Sequence, residues 1–224
     1  MVVQLYSILY VRLCYKKGMP KKVDHESRRK HIAESLWRVA ARDGIHAVSV
    51  RSVAAEAETS PTALRYFFAT QDELMEFAMR TAAQRVAERT GARSQQVRDV
   101  PNALDLLAEL IPIDEDRRLE QEVYLAFILH ARDHPKLRAI RDEIEAQLSA
   151  LVRTTVHGLA EAGQLRADIE VTDAVDRTYA ILDGLAFHGA LWPARYPAER
   201  LLAALHSHLY SLAPQPQDPQ PQDP

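Results

Sequence analysis

Between Ser49 and Phe68 the chain reads SVRSVAAEAETSPTALRYFF. Val50, Val53, Ala54 and Ala57 recur at helical spacing over barely two turns, with Ser49 as a plausible cap. Ser60 followed by Pro61 starts a second short helix, because a capping hydroxyl precedes a proline at the first helical position, where its missing N–H costs nothing. Neither helix buries enough apolar surface to stand alone. This pair constrains the fold more than any other feature, since a third helix has to pack across it. Residues 27–43 supply that helix: Ile32, Ala33, Leu36, Val39 and Ala40 share one stripe, Asp24 or Ser27 can cap the start, and Gly44 stops it. Together the three make a helix-turn-helix, with Val53, Ala57 and Leu64 as its small core.

The helical period continues to the end of the folded sequence. Thr70 and Glu73 form a capping box that opens a longer helix through about Arg89. Further helices are expected near 101–111, 115–133, 135–162, 172–191 and 198–212, with breaks at Pro112, 133–135, 161–170 and 192–197. No alternating strand pattern is present, and 7 Gly in 224 residues suits an all-α chain. The first eighteen residues, MVVQLYSILYVRLCYKKG, are too short to span a membrane, and their basic residues follow the apolar run. They read as a disordered or mis-started leader with Met19 as the natural beginning; a signal peptide is the alternative. The tail, 214–224, repeats QPQDP and is expected to be disordered. The single Cys14 excludes a disulfide within the chain and a multi-cysteine zinc site, and fits a reducing cytoplasm.

Charge is uneven. Residues 1–18 carry +3, and residues 19–70 hold nine Lys/Arg against six Asp/Glu, so the net −3 of the whole leaves −9 on residues 71–224. A basic front and an acidic back point to a polyanion meeting the front end. The second short helix offers Thr62, Arg65 and Tyr66 on the face away from Leu64 and Phe68. In a major groove, Arg can bond guanine O6 and N7, while Thr and Tyr reach thymine methyls or phosphates. The amide ends at Ser49 and Ser60 suit phosphate oxygens. The plain alternative is a helical hairpin whose Arg65 and Tyr66 are merely solvated.

The stretch RRKHIAESLWRVAARDGIHAVSVRSVAAEAETSPTALRYFFATQDEL resembles the DNA-binding domain of TetR-family transcriptional regulators, without a gap through residues 24–75. The segments S-V-R-x-V-A, S-P-x-A-L-R-Y-x-F and x-x-E-L occur in the order and spacing that make the resemblance specific. Further on, IPIDEDRRLEQEVYLAFILHARDHPKLRAIRDEI and AEAGQLRADIE…AILDGLAFHGAL look like the ligand-binding half of the betaine-regulator (BetI) type. The resemblance implies a DNA-binding domain over 19–70 and a helical effector-binding and dimerisation domain over 71–213. It places Pro61, Thr62, Arg65 and Tyr66 at or near bases, and Ser49, Arg51, Thr59 and Ser60 near the phosphate backbone. Three positions depart from the pattern. Glu58 stands where Gly is usual in a turn that requires positive φ. Phe67 stands where Tyr or His commonly bonds phosphate, and Gln71 where Lys is frequent. These departures imply weaker phosphate anchoring.

In the acidic half, Gly184, Ala186, Gly189 and Ala190 allow close helix approach, and Leu201, Leu205, Leu209 and Leu212 form a seam. The resemblance makes these a two-fold dimer interface; an intramolecular core is the alternative. A dimer presents two reading helices about 34–36 Å apart on a palindromic operator. The run EVYLAFILH (122–130) is apolar almost all round. Its Tyr124 and Phe127, with Phe77, His157, Tyr179, Phe187, His188 and Trp192, can line an effector cavity, ordinary core packing being the alternative for each. A cationic effector would want aromatic faces or a carboxylate such as Asp176 or Asp183. His130 and His134, with Asp133 between, have a spacing that can hold zinc, but Pro135 ends the helix there and no metal is expected. The pair in HSH (206–208) reads as surface.

The sequence has no G-x-S-x-G, no Gly-rich phosphate loop and no H-E-x-x-H, so no enzyme and no cofactor are expected. The expected function is a cytoplasmic, homodimeric, DNA-binding repressor released by a small-molecule effector. A ligand-binding module of the same shape with weak or lost DNA binding is the alternative.

Overall fold

The computed structural model describes residues 21–44, 47–94 and 96–214. The expected leader at 1–18, the start at Met19, the Asp24 side chain and tail residues 215–224 lie outside the described residues. Among the described residues there are helices α1 (Lys21–Asp43), α2 (Val50–Glu56), α3 (Pro61–Phe67), α4 (Gln71–Ser94), α5 (Val100–Leu107), α6 (Glu115–Ala131), α7 (Pro135–Glu161), α8 (Val171–Leu191) and α9 (Ala198–Leu212), and no strand. A 3-10 turn, Ala108–Leu110, follows α5. The all-α expectation is the fold observed.

Helix ends follow local chemistry. Gly44, at φ 81°, donates to the Ala40 carbonyl at 3.0 Å and closes α1. The start of α1 at Lys21 puts Ser27 inside the helix instead of at its cap. Before α4, Thr70 Oγ1 accepts from the Glu73 amide at 3.1 Å, and Glu73 Oε2 accepts from the Ala69 amide at 2.8 Å. α4 then runs past Arg89 to Ser94, because its last turns find partners across the bundle. Arg89 makes a two-pronged pair with Glu120 at 3.0 and 2.7 Å, and Arg93 reaches Glu109 at 3.0 Å. These charge-assisted bonds offset the cost of Gly91 in the helix.

Two apolar cores run through the molecule. The first contains Ile32, Leu36 and Trp37 of α1, Val53 of α2, Leu64 of α3 and Phe68, and continues through Leu74 and Met79 of α4 to Val123 and Phe127 of α6 and Leu137 and Ile144 of α7. The second joins α5, the rear of α7, α8 and α9 through Leu106, Val152, Leu182, Leu201 and Leu209. Leu201, Leu205, Leu209 and Leu212 are therefore buried within the chain itself and do not form an outward seam. His208, expected at the surface, is likewise buried. The Thr178 hydroxyl donates to the Ala174 carbonyl at 2.7 Å and accepts from His208 Nε2 at 2.9 Å. Burial holds the imidazole pKa below its ordinary value, with the Arg177 charge adding to the effect.

Gly189 is required by close packing. A Cβ there would lie 2.6 Å from Pro112 Cγ and 2.7 Å from Leu201 Cδ1. Gly184, one turn and a half earlier on α8, has nothing within 4 Å of such a Cβ. Gly189→Ala is expected to destabilise the chain by about 1–3 kcal/mol through overpacking, and Gly184→Ala to stabilise it by roughly 0.5–1 kcal/mol, since alanine is the better helix former and meets nothing there; chemical denaturation of both variants checks the contrast.

Candidate nucleic-acid interface and internal cavity

The reading head is built by caps. Ser49 Oγ accepts from the Ser52 amide at 3.1 Å, and Ser52 Oγ accepts from the Ser49 amide at 2.9 Å, so serine occupies both ends of the capping box of α2. The helix closes with the Glu58 amide donating to Ala55 at 3.2 Å and the Thr59 amide to Ala54 at 2.9 Å. That pattern needs a left-handed residue between them, and Glu58 supplies it at φ 50°. Ser60 Oγ then accepts from the Ala63 amide at 3.0 Å, and Pro61 opens α3. Leu64 and Phe68 are fully buried beneath it.

What remains outward is the set expected to face DNA. Arg51, Ser60, Pro61, Thr62, Arg65, Tyr66 and Gln71 are exposed, and Ser49, Thr59 and Phe67 are half-buried. Tyr66 is 77% exposed, high for so large a ring, and packs edge-on against Phe67 with centroids 5.3 Å apart. Phe67 also packs on the first core, so its ring acts as a prop. Gln71 Nε2 donates to the Val48 carbonyl at 3.4 Å. The sequence reading missed Arg29. Its guanidinium lies 4.6 Å over the Phe68 ring and 4.8 Å over Phe77, and donates to the Phe67 carbonyl at 3.4 Å. It pins the end of α3 from 38 residues away, a pairing that no local motif reveals.

Acidic groups in the reading head are partly neutralised. Glu56 accepts from Arg42 at 2.7 Å and Arg38 at 2.9 Å, and these bonds lower its pKa. Asp43 is held by Arg42 at 2.9 Å. Glu58 is exposed beside the reading helix.

Between α4, α6, α7 and α8 lies a cavity of about 340 Å³, a size suited to a small molecule. Its walls are mostly apolar: Met79, Ala83 and Val86 of α4, Ile144, Leu148 and Leu151 of α7, and Leu182 and Ala186 of α8. Tyr124 and Tyr179 line it together with Asp183. The Tyr179 hydroxyl donates to Glu145 Oε1 at 2.6 Å. Burial and the Glu145 and Asp183 charges push Tyr124 up to about 12. Tyr179 is also raised, by burial first and then by its bond to Glu145. Desolvation and the neighbouring Glu145 raise Asp183. Burial is the first cause for all three, and the neighbouring carboxylate charges add to it. Glu109 and Glu120, also in the lining, are held by Arg89, Arg93 and Arg117.

Of the eight residues expected to line such a cavity, the structure brings Tyr124 and Tyr179 to it. Phe127 is fully buried in the first core, and Phe77 packs against that core beside Phe68 and Arg29. His157 is exposed on the far side of α7. Phe187, His188 and Trp192 instead cluster at the end of α8, where the His188 ring stacks on Tyr196 at 5.0 Å. Phe187, Leu191 and Trp192 leave an apolar surface there. Among the described residues no helix is long and apolar enough to cross a membrane.

Comparison with known proteins matches both parts of the chain. Residues 32–77 fit the model for bacterial regulatory proteins of the tetR family, and residues 101–214 the model for the C-terminal part of BetI-type transcriptional repressors. The chain is 36% identical over 200 residues to the HTH-type transcriptional regulator PksA of Bacillus subtilis, covering 87% of this chain and 94% of that protein. It also resembles the crystal structure of a transcriptional regulator from Rhodococcus (31% identity, TM-score 0.68, 82% of this chain and 95% of the other). A third likeness is to the multidrug-binding protein EbrR in complex with imidazole (30% identity, TM-score 0.58, 84% and 96% covered).

The strained turn is testable by itself. Glu58→Gly removes about 1–2 kcal/mol of left-handed strain and adds roughly 0.5–1 kcal/mol of unfolded-chain entropy, so thermal unfolding is expected at a slightly higher temperature than in the parent.

Proposed function

The chain belongs to the TetR family of bacterial transcriptional regulators, with a BetI-type C-terminal part, and from that premise we propose that it is a homodimeric repressor whose hold on a palindromic operator is released by a small cationic effector. The observation that carries the DNA half is the face of α3: Thr62, Arg65 and Tyr66 stand outward while Leu64 and Phe68 are buried. In this reading Arg65 bonds a guanine edge, Thr62 and Tyr66 contact bases or adjacent phosphates, and Pro61 sets the start of the helix against the groove. Ser49, Arg51, Thr59 and Ser60 approach the phosphate backbone, with Phe67 and Gln71 bracing the end of the reading helix. Glu58 opposes phosphate approach, and the arginine pairs of Glu56 and Asp43 limit the remaining acidic repulsion.

Two reading heads need a partner chain. The apolar surface of Phe187, Leu191 and Trp192, beside the open Gly184, supports a dimer face on the outer side of α8, with Tyr210 exposed farther along α9. The buried leucines of α9 support that face from behind.

The effector reading rests on the cavity. Apolar walls with Asp183, Tyr124 and Tyr179 in the lining, and Glu145 bonded to Tyr179, favour a compact cation with an apolar body. Imidazole bound to EbrR, at 30% identity, supports a nitrogenous ligand of small size.

Selection of random duplex DNA by the full chain tests the DNA half. One palindrome is expected, and Arg65→Ala should lose about 1–3 kcal/mol at a particular base pair. Recovery of no preferred sequence by a folded dimer favours the ligand-binding module without DNA affinity. In the cavity, Asp183→Asn is expected to weaken a bound organic cation about tenfold or more, as read by calorimetry with a panel of quaternary and aromatic amines. Because the Asp183 pKa is raised, the carboxylate protonates at a higher pH than an ordinary aspartate as the solution is acidified. Cation affinity should therefore fall as pH drops through that raised pKa, and the Asn variant should lack this dependence.

A further inference from the structure

We propose that Asp72, His130 and His134 form a binding site for a divalent transition-metal ion of the zinc class, at the joint between the reading head and the remaining helices. The three side chains come from separate places in the fold. Asp72 is in the first turn of α4, His130 in the last turn of α6, and His134 is the residue before α7. Pro135 fixes the start of α7, and the His134 side chain makes no capping bond to that helix, which leaves its ring turned to Asp72.

The geometry brings three metal-ligating groups together. His130 Nε2 lies 3.1 Å from Asp72 Oδ1, and His134 Nδ1 lies 3.0 Å from Asp72 Oδ2. The rings stack, with centroids 4.3 Å apart and planes inclined by 30°. One ligand atom from each of the three residues falls within a set no wider than 4.8 Å. A tetrahedral zinc ion with bonds of about 2.0–2.1 Å has ligand atoms roughly 3.3 Å apart. Each nitrogen meets a different carboxylate oxygen, so with Asp72 bound through one oxygen a single nitrogen–oxygen edge is already within a few tenths of an ångström of that length. The other nitrogen–oxygen edge and the nitrogen–nitrogen edge each need to close by about 1.5 Å at most. The three side chains are 39–42% exposed, which leaves room for water at the fourth position. Two imidazole nitrogens and one carboxylate oxygen suit zinc, nickel or copper better than the oxygen-seeking magnesium and calcium.

The sequence places Asp133 between the two histidines and leads to no expectation of a metal. The structure instead pairs Asp133 with Arg132 at 3.4 Å and supplies Asp72 from 58 residues before His130. Asp72 stands five residues beyond the end of α3. An ion here cross-links the segment leaving the reading helix to α6 and α7. The site stands apart from the cavity, since none of its ligands lines that space, and its test requires neither operator nor effector.

The experiment uses the full chain, stripped with a chelator and dialysed, and titrated calorimetrically with zinc chloride at neutral pH. The expected result is one zinc ion per chain, bound at least about tenfold more weakly by Asp72→Asn and by His134→Gln, with the unfolding midpoint raised by zinc in the parent alone. Cobalt substitution adds a direct readout, because a tetrahedral site gives intense visible absorption bands that both variants should lose. Circular dichroism of the metal-free variants confirms that each is folded before it is compared. The chain has nine histidines, so zinc held elsewhere would survive both substitutions. Zinc binding of that kind, or no stoichiometric binding by the parent, overturns the proposal.

Discussion

Burial of Leu64 and Phe68 beneath the reading helix is the contact on which the arrangement depends. α2 and α3 have seven residues each, too few to be stable in water by themselves. Their shared core is not confined to the helix-turn-helix: the same cluster takes in Leu74, Met75 and Met79 of α4, Val123 and Phe127 of α6, and Ile140 and Ile144 of α7. Packing at interior density transmits displacement, because a dense core cannot take up a shift by compressing. Arg29 reinforces the junction by lying over both Phe68 and Phe77, so one cation clamps the end of α3 to the wall of α4.

α4 divides its length between two tasks. Its first half anchors the reading head through Leu74, Ala78 and Met79, and its second half forms a cavity wall through Ala83, Val86 and Thr90. The far end is held by ions: Arg89 and Arg93 engage Glu109 and Glu120, with Arg117 bonded to Glu109 at 2.5 Å. Desolvation resists the ionised state of Glu109, yet the arginine hydrogen bonds outweigh it and leave the pKa lowered. Glu109 and Glu120 in the cavity lining are thus satisfied by arginines. Asp183 is instead raised by desolvation and by the Glu145 charge, and no arginine is bonded to it among the described residues.

Elements governed by local rules were legible in the sequence. Ser49, Ser60–Pro61 and the Thr70–Glu73 box mark helix starts, and the turn at Glu58 requires the positive φ that the structure shows. The outward face of α3 follows from the same periodicity, since Leu64 and Phe68 fix which side is buried. What was not legible depends on where helices sit relative to one another. An aromatic residue on an apolar helix fits a cavity wall or a core equally well by pattern, so Tyr124 and Phe127 could not be told apart, although one lines the cavity and the other is sealed in the first core. The leucines of α9 form a stripe whichever body covers it, and here the chain's own α5 and α8 do so. Arg29 and Asp72 were missed for a related reason, as their partners lie far off in sequence.

The proposed release of DNA then has a physical route. α4 is 24 residues long, about 36 Å at helical rise, and its two halves belong to the first core and to the cavity. A ligand that fits the cavity better when α4 is slightly displaced must displace the core residues Leu74 and Met79 as well, and with them Leu64 and Phe68 under the reading helix. A preference of about 1–3 kcal/mol between the two positions of α4 changes operator affinity by roughly 5- to 150-fold. Linkage makes the effect reciprocal: the operator must weaken effector binding by the same factor that the effector weakens operator binding. A ligand that filled the cavity without distinguishing the two positions of α4 would bind and release nothing. In the proposed switch, the chemistry of the walls therefore decides affinity, while the placement of α4 across both cores decides whether that affinity is felt at the DNA.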